Sequence, residues 1–333
     1  MKTIGINFSL ISSQAHVLVD VRSEGEFAQG HIPGAVNLPL LRNEERVLVG
    51  TTYKKEGNQA AVLLGYELVG PRFRQLIEGA ISLSEGKPLV LHCWRGGLRS
   101  RIMAQLLSNA GLDITIIEGG YKTFRNLVLN TFLQSYNLRV LGGFTGSGKT
   151  EMLKGLANAG KQIIDLEELA SHRGSAFGAI GMEPQPTQEQ FENNLALLLS
   201  KINVAEPLWL EDEASMIGKL QVPDVFFKQM RQSPLVVVRI PKEERFARIR
   251  NEYGVFPKEQ LIQSTQKIAK KLGDLRLRKA ISDLENNNFD GWLDEVLFYY
   301  DKVYVRALND STLEQKLILE GSFDEVLQQL IHL

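Results

Sequence analysis

The sequence predicts an α/β protein with two parallel-sheet domains in succession, the second ending in a helical C-terminal part. The chain has 333 residues, about the length of two average domains. Short apolar runs alternate with segments of helical periodicity, as in the strand–helix–strand units of parallel sheets. Two glycine-rich loops, at 92–100 and 142–150, each connect such a run to a helical segment. Loops of this kind, followed by a helix N-terminus, are suited to bind anions.

Composition restricts the class of protein. Hydrophobic residues make up 44% and charged residues 23%, as in ordinary globular domains. No apolar run reaches the roughly 18 residues of a membrane helix, and the N-terminus lacks a signal-peptide pattern, so we expect a cytoplasmic protein without a membrane segment. The net charge of −1 excludes a globally basic nucleic-acid binder but permits a local basic patch. The single cysteine excludes an internal disulfide.

The first predicted strands are 17–21 and 35–38, the second following the turn signal Pro33-Gly34. The segment contains the pattern Asp20, Arg22, Glu26, Phe27, Gly30, His31, Pro33, Gly34, Ala35, Asn37 and Pro39. This pattern closely resembles the rhodanese family, which implies a rhodanese-like parallel sheet. In that family these residues brace the fold, so the resemblance implies a structural role for His31.

Residues 41–86 form an insertion, because a minimal rhodanese needs fewer residues here. Its second half is predicted to be helical, from the apolar periodicity of 60–69. Tyr53, Lys54 and Lys55 belong either to a solvated surface loop or to a contact with a polyanionic substrate.

A strand at 89–91 ends at the only cysteine, Cys93, and a helix is predicted from Arg99. Backbone amides of the turn, the helix dipole, Arg95 and Arg99 would favour a thiolate or a bound oxyanion, so we expect Cys93, Arg95 and Arg99 to take part in catalysis. The spacing HCxxxxxRS fits cysteine phosphatases, and the strand-end cysteine fits rhodanese-type sulfur transfer; a buried structural thiol is the third interpretation. The expected oxyanion-binding residues are Trp94, Gly96, Gly97, Leu98 and Arg99.

A strand at 114–117 and the sequence Glu118-Gly119-Gly120-Tyr121 close the first domain. The predicted division is a rhodanese-like domain at 1–125, a connecting helix at 126–137 and a second domain at 138–333.

The second domain begins with a strand, the sequence GxxxxGKT and a helix, which is the context of a P-loop. In such a loop, glycines let backbone amides surround a diphosphate, while Lys149 supplies a cation and Thr150 commonly holds Mg²⁺. The domain is therefore predicted to be a doubly wound, P-loop NTPase-like sheet. The expected diphosphate-binding residues are Gly143, Thr145, Gly146, Ser147, Gly148, Lys149 and Thr150.

Further strands are predicted at 162–164, 207–210 and 235–241. Ligands of doubly wound sheets bind at the carboxyl ends of strands. We expect one of the acids there to hold a metal, with Mg²⁺ as the candidate, or to order a water, unless it caps a helix. The acids are Asp165, Glu167, Glu211 and Asp212.

From 242 onward the sequence is predicted to form helices, with breaks at 286–288 and 309–310. A basic stretch within it is either a solvated helix face or a contact with a nucleic-acid backbone. Its residues are Lys267, Lys270, Lys271, Arg276, Arg278 and Lys279.

From Val17 to about Tyr304 the chain resembles the tRNA 2-selenouridine synthase family. The resemblance rests on both loops and on the segments 165–167, 172–178 and 209–213. It implies a transferase that acts on 2-thiouridine at the tRNA wobble position, with selenophosphate and geranyl diphosphate as substrates. An enzyme that makes selenophosphate is an expected partner. The alternative is a P-loop small-molecule kinase or NTPase that carries a sulfur-carrier or phosphatase-like module.

The resemblance also suggests residue roles. The P-loop would hold the diphosphate of the prenyl donor, and the Cys93 loop would bind selenophosphate. Cys93 would either carry selenium as a perselenide or steer its attack, and Trp94 would either stack on the pyrimidine or pack at a domain interface. Expected tRNA or substrate contacts are His172, Arg173, Ser175, Lys270, Lys271 and Arg276.

Overall fold

The computed structural model describes residues 2–310 and 316–333. The chain forms two compact units: unit 1 comprises 1–131 and 189–200, and unit 2 comprises 132–188 and 201–333. Among the described residues, no helix combines the length and the apolar character required to cross a bilayer.

Unit 1 contains a five-stranded parallel sheet with strand order β1-β5-β4-β2-β3. The strands are β1 (Lys2–Ile4), β2 (Val17–Asp20), β3 (Val36–Asn37), β4 (Leu89–His92) and β5 (Ile114–Ile117). Val19, Leu91 and Ile116 on the inner strands belong to one core with Met103 and Leu107. Apolar runs are typical of parallel strands that are buried on both faces. The strands predicted at 17–21, 35–38, 89–91 and 114–117 correspond to β2 to β5.

Helices of unit 1 follow the strands and fill the insertion. They are α1 (Phe8–Ser12), α2 (Glu24–Gln29), α3 (Asn43–Glu56), α4 (Asn58–Val69), a 3₁₀ turn (Gly70–Arg72), α5 (Phe73–Ser84), α6 (Leu98–Asn109) and α7 (Gly120–Thr131). The expectation of a surface loop at 53–55 is wrong, because these residues form the last turn of α3. Acids in the first turn of α3, together with Lys54 and Lys55 in its last turn, complement the helix dipole.

Unit 2 contains a second five-stranded parallel sheet, with strand order β12-β11-β6-β8-β7, and a short antiparallel hairpin. The strands are β6 (Leu138–Gly143), β7 (Gln162–Ile164), β8 (Leu208–Glu211), β9 (Met216–Ile217), β10 (Leu220–Gln221), β11 (Leu235–Arg239) and β12 (Lys316–Glu320). The helices in this part of the chain are α8 (Lys149–Asn158), α9 (Leu166–Ala170), α10 (Gln188–Leu199), α11 (Asp224–Gln232), α12 (Lys242–Tyr253), α13 (Lys258–Lys267), α14 (Ala269–Leu272), α15 (Asp274–Glu285), α16 (Phe289–Asp310) and α17 (Phe323–Ile331). All of them except α10 belong to unit 2.

The C-terminal region contains a strand that the sequence pattern does not predict. The expectation of helices alone from 242 onward is wrong, because β12 adds an edge strand parallel to β11. Its five residues are too few to show the alternation of apolar and polar residues that marks a strand, and its partner strand β11 is distant in the sequence. Helices α12 to α16 surround a separate core that includes Phe177, Trp292 and Leu293.

Helix α10 lies within the second half of the sequence, but its residues 189–199, together with Ser200, belong to unit 1. The Asn193 side chain donates hydrogen bonds to the His31 carbonyl (2.9 Å) and to the Tyr121 hydroxyl (2.8 Å). The Tyr121 hydroxyl in turn donates to Glu189 Oε1 (2.7 Å). The predicted division at 125 and 138 assumed contiguous domains, whereas unit 1 includes this separate helix and α7 ends at Thr131.

Candidate active sites

The thiol of Cys93 lies at the end of β4, with 3% of the residue exposed. The Gly97 amide donates a hydrogen bond to Sγ over 3.3 Å, and Ser100 Oγ lies 3.3 Å from the same sulfur. Ser100 Oγ also donates to the Gly97 carbonyl over 3.0 Å, so the Gly97 amide is the neighbour that is suited to stabilise a thiolate.

Two glycines bring the Cys93 loop against the start of α7. Gly96 has φ 63°, and a Cβ there would lie 2.8 Å from the Ile117 carbonyl oxygen. At Gly120 (φ 59°) a Cβ would lie 2.3 Å from the Cys93 carbonyl oxygen. That carbonyl accepts a hydrogen bond of 2.9 Å from the Tyr121 amide. The Gly119-Gly120-Tyr121 sequence therefore supports the cysteine loop directly.

Arg99 makes a bidentate ion pair with Glu26, with N–O distances of 2.5 and 3.1 Å. Burial acts to raise the pKa of Glu26, but the hydrogen bond and charge of Arg99 prevail and lower it below its usual value. The predicted anion-binding arginine is thus already paired, while Arg95 is exposed beside Cys93. A role for Arg99 as a phosphate clamp requires an anion to replace Glu26.

Trp94 lies 38% exposed at the mouth of the loop, and its ring lies 5.6 Å from the Tyr121 ring. A cavity of about 540 Å³ lies beside it, and most of the residues that line it are polar or charged, among them Glu26, Asn43 and Arg99. An exposed indole next to hydrogen-bonding side chains is suited to hold a nucleobase.

His92 is fully buried next to Cys93, and among the described residues neither ring nitrogen makes a hydrogen bond of normal geometry. Burial lowers its pKa to about 4, although Nδ1 lies 3.8 Å from Asp20 Oδ1. His92 is therefore a neutral ring at physiological pH.

In unit 2 the P-loop joins β6 to α8. Lys149 Nζ donates to the Gly143 carbonyl (3.3 Å), and Thr150 Oγ1 donates to Glu211 Oε1 (2.7 Å). Gly146 and Gly148 adopt φ values of 79° and 82°, which favour glycine. All seven predicted diphosphate-binding residues lie in this strand–loop–helix segment.

Three glutamates gather near Lys149: Glu167, Glu211 and Glu213 have carboxylate oxygens within 4.8 Å of one another. Burial, followed by the neighbouring carboxylates, raises the pKa of Glu167 to about 10 and that of Glu213 to about 7. The cluster therefore retains a proton at neutral pH. Glu213 was not among the predicted site residues, although it directly follows the strand-end acids.

The other two predicted acids have structural partners. Asp165 caps α9, its side chain accepting from the Glu168 amide over 2.8 Å. Asp212 pairs with Arg231, at an N–O distance of 2.5 Å. Neither belongs to the carboxylate cluster.

The 172–175 segment lies against that cluster, since a Cβ on Gly174 would lie 2.6 Å from Glu213 Oε2. His172 is buried, and burial lowers its pKa. Arg173 forms an ion pair of 2.7 Å with Glu252, and Ser175 Oγ accepts from the Phe177 amide over 3.2 Å.

The basic stretch is only partly available for a ligand. Arg276 pairs with Glu295 at 2.5 Å and lies 3.6 Å over the Phe298 ring. Lys270 and Lys271 are exposed on α14. Their predicted contact with tRNA stays a prediction.

Two arginines of α12, which the sequence analysis did not select, brace the P-loop. Arg245 Nε donates to the Thr145 carbonyl, and Arg248 Nη1 donates to the Gly146 carbonyl, each over 2.9 Å. The Arg248 guanidinium carbon would lie 2.9 Å from a Cβ on Gly148. Their spacing of three residues places both on one helix face, which is the signal that would have revealed them.

Comparison with known families gives a match over most of the second unit. The family model described as tRNA 2-selenouridine synthase AAA domain matches residues 136–332. The chain belongs to the tRNA 2-selenouridine synthase family. A rhodanese-like domain model matches residues 9–127.

Synthases of this name from two bacteria are similar over nearly their full length. The one from Nitrosomonas europaea is 38% identical, covering 87% of this chain and 89% of its own. The one from Shewanella frigidimarina is 36% identical, covering 94% of this chain and 93% of its own. A crystal structure of the N-terminal domain of a protein described as binding ATP or GTP, from Clostridium difficile 630, is 38% identical over 38% of this chain and 99% of its own, with a TM-score of 0.36.

The two family models and the two similar synthases confirm the predicted synthase family, the rhodanese-like and P-loop domain classes, and the prediction of an enzyme. The roles of individual site residues stay predictions.

Proposed function

We propose that this synthase converts wobble 2-thiouridine in tRNA to 2-selenouridine in two steps, one at each loop. One observation carries the proposal: a single chain of this family contains both a P-loop with Lys149 and a cysteine loop with polar contacts to Cys93 Sγ. The proposal includes a cytoplasmic location, as expected for an enzyme of tRNA, and a selenophosphate-producing enzyme as a partner.

In the first step, the thiouridine sulfur attacks the first carbon of geranyl diphosphate, and the carbon–oxygen bond breaks so that diphosphate leaves with its electron pair. The N3 proton of the base is released to water. P-loop amides and Lys149 stabilise the negative charge that develops on the leaving group. The Arg248 guanidinium, which lies against Gly148, is a further cation at this loop.

The oxygen donors at the P-loop fit a divalent cation. The Thr150 hydroxyl and the Glu211 carboxylate are hydrogen-bonded at 2.7 Å, and they are the residues that would hold Mg²⁺. When bound, Mg²⁺ would supply additional neutralisation of diphosphate charge.

In the second step, selenium replaces the alkylated sulfur at C2 of the base. Selenium in selenophosphate is at the oxidation level of selenide, so a perselenide on Cys93 would require an oxidant. We therefore assign Cys93 the steering role: selenophosphate selenium bonds to C2, the C2–S bond breaks, and geranylthiol leaves with a proton. Water then cleaves the P–Se bond, which releases phosphate and leaves 2-selenouridine.

The test is nucleoside mass spectrometry on thiolated tRNA incubated with geranyl diphosphate and selenophosphate, separately and together. We expect S-geranyl-2-thiouridine with geranyl diphosphate alone and 2-selenouridine with both substrates. Lys149→Ala should lose the first product, while Cys93→Ser should retain it and lose the second. Unchanged geranyl transfer by Lys149→Ala at saturating donor, or normal selenouridine formation by Cys93→Ser, would contradict the assigned steps.

A further inference from the structure

A second and larger cavity, of about 960 Å³, lies within unit 1 and shares Trp94 and Arg99 with the lining of the smaller one. Cys93 and the following residues form one wall, while α3 and α4 form the other. Its volume is in the range of small-molecule sites, roughly 300–1,000 Å³. The two helices belong to the insertion, so the rhodanese-like sheet alone would not create this space.

The helical wall of the cavity is mainly apolar. Side chains that line it include Val47, Val49, Val62, Tyr66 and Val69. Val47 and Tyr66 are 58% and 49% exposed, so large apolar side chains face open space here. Exposed apolar surface of this kind commonly marks a binding site.

The charges that line the cavity all have one sign. They are Arg46, Lys54, Arg95 and Arg99, and none of the described residues that line this cavity is acidic. Of these, Arg99 is paired with Glu26, and Arg46 approaches the same carboxylate at 3.8 Å. Lys54 and Arg95 are exposed. The cavity thus combines an apolar wall with cations, which is complementary to an apolar chain attached to a phosphate-bearing molecule.

We propose that this cavity binds the geranyl chain of the S-geranyl-2-thiouridine intermediate while selenium is delivered beside Cys93. The proposal rests on the proposed second step and adds where the alkyl group is held. The apolar wall would contact the ten-carbon chain, and the cations would contact the phosphates of the tRNA. The chain would reach the cavity from the base next to Cys93, so geranylthiol would leave into an apolar space.

The proposal predicts that the cavity selects the length of the alkyl chain. Gly50 lies within α3, lines the cavity, and has no heavy atom within 4 Å of a built Cβ. A Cβ at Gly50 therefore meets open space, so Gly50→Phe is chosen to narrow the cavity from α3, and Val62→Phe is chosen to narrow it from α4. Leu48→Phe is the matched control, because Leu48 is 54% exposed on α3 and does not line the cavity.

The experiment uses the full chain, selenophosphate and anticodon stem-loop RNA that carries S-geranyl-, S-dimethylallyl- or S-methyl-2-thiouridine. Selenouridine formation gives kcat/KM for each substrate. Gly50→Phe should lower kcat/KM for the S-geranyl substrate at least roughly tenfold relative to the S-methyl substrate. Val62→Phe should act in the same direction, and Leu48→Phe should keep the wild-type ratio.

Two results would separate failure of this inference from failure of the proposed function. Wild-type protein that converts no alkylated substrate would overturn the second step and, with it, the inference. If wild-type protein converts the alkylated substrates, and Gly50→Phe and Val62→Phe keep the wild-type preference for chain length, the second step stands and the cavity assignment is overturned. Binding of the S-geranyl RNA can also be measured without selenophosphate in the Cys93→Ser background. If adding Gly50→Phe to Cys93→Ser leaves the affinity unchanged, the cavity assignment is overturned.

Discussion

Charged residues near Cys93 have specific partners that their spacing in the sequence does not reveal. Arg99 has the position expected of an anion ligand, yet Glu26 occupies both ends of its guanidinium. Glu26 also completes the capping box of α2 with Ser23. A bound anion therefore competes with an internal carboxylate, which lowers affinity for anions and favours those that bridge several donors.

Glu26→Gln should free Arg99 for an external anion. We expect the KM for selenophosphate to fall roughly threefold, while unit 1 loses about 1 kcal/mol of stability because the ion pair is partly exposed. Steady-state kinetics and urea unfolding measure the two effects. Glu44→Gln, on the exposed first turn of α3, should change neither. An increased KM in Glu26→Gln would show that Glu26 assists binding instead.

His92 should make unit 1 sensitive to acid. Its pKa is lowered from 6.5 to about 4, so the unfolded chain takes up a proton first as the pH falls. The corresponding stability is fully present above pH 6.5 and is lost as the pH falls from 6.5 towards 4, by about 3 kcal/mol in total. Hydrogen exchange of the β4 amides at pH 7.5 and 5 should show a steeper loss of protection in wild type than in His92→Phe. Equal losses would exclude His92 as the cause.

At the scale of elements, the two binding loops depend on neighbouring helices. The Cys93 loop contacts the first residues of α7, and the P-loop carbonyls accept from two arginines of α12. Arg245 is held in turn by two hydrogen bonds to Asp301 of α16, at 2.6 and 3.1 Å. Loop conformation is therefore fixed by packed elements rather than by the glycines alone.

Arg248→Ala should reduce geranyl transfer roughly 100-fold, as expected when a preorganised cationic donor is removed from a developing anion. The loss should appear in kcat with little change in global stability. Arg250→Ala is the control, because Arg250 lies on the same helix and pairs with Asp290 at the surface. Similar losses in both variants would indicate that α12, and not the Arg248 cation, is affected.

At the scale of the whole molecule, unit 1 is completed by a helix from a distant part of the chain. Arg125 pairs with Glu192 and donates to Asn193 Oδ1 over 2.5 Å, and the His31 amide donates to Gln190 Oε1 over 2.9 Å. Without α10 these groups and the Tyr121 hydroxyl lose their partners. Unpartnered polar groups in a folded interior are costly, so the helix is part of the stable unit.

A fragment of residues 1–131 should therefore be less stable than unit 1 in the full chain. Adding a peptide of residues 186–202 should raise its thermal midpoint in a concentration-dependent way, because only the folded fragment binds the helix. The same peptide with Asn193→Leu should not, since the bonds to His31 and Tyr121 are lost. A fragment with full-chain stability in the absence of peptide would contradict this role of α10.

The sequence predicted most strands and both loops because apolar runs, glycines and cations follow local rules. It did not predict β12 as a strand or the membership of 189–200 in unit 1, since each depends on partners far away in the chain. The sequence also predicted Asp165 and Asp212 as candidate metal or water ligands, together with Glu167 and Glu211. The position after a strand brings acids to one edge of the sheet, but side-chain direction decides whether they cap a helix, pair with an arginine or join the cluster.

The sequence by itself determined the order of a rhodanese-like and a P-loop domain, the position of Cys93 before a helix and that of Lys149 in a phosphate-binding loop. These features depend on residues adjacent in the chain. Only the tertiary structure decided that Glu26 holds Arg99, that Glu213 joins Glu167 and Glu211, and that α3 and α4 enclose an apolar cavity beside Cys93. Such arrangements arise from packing between elements, whose energies depend on contacts that no local pattern encodes.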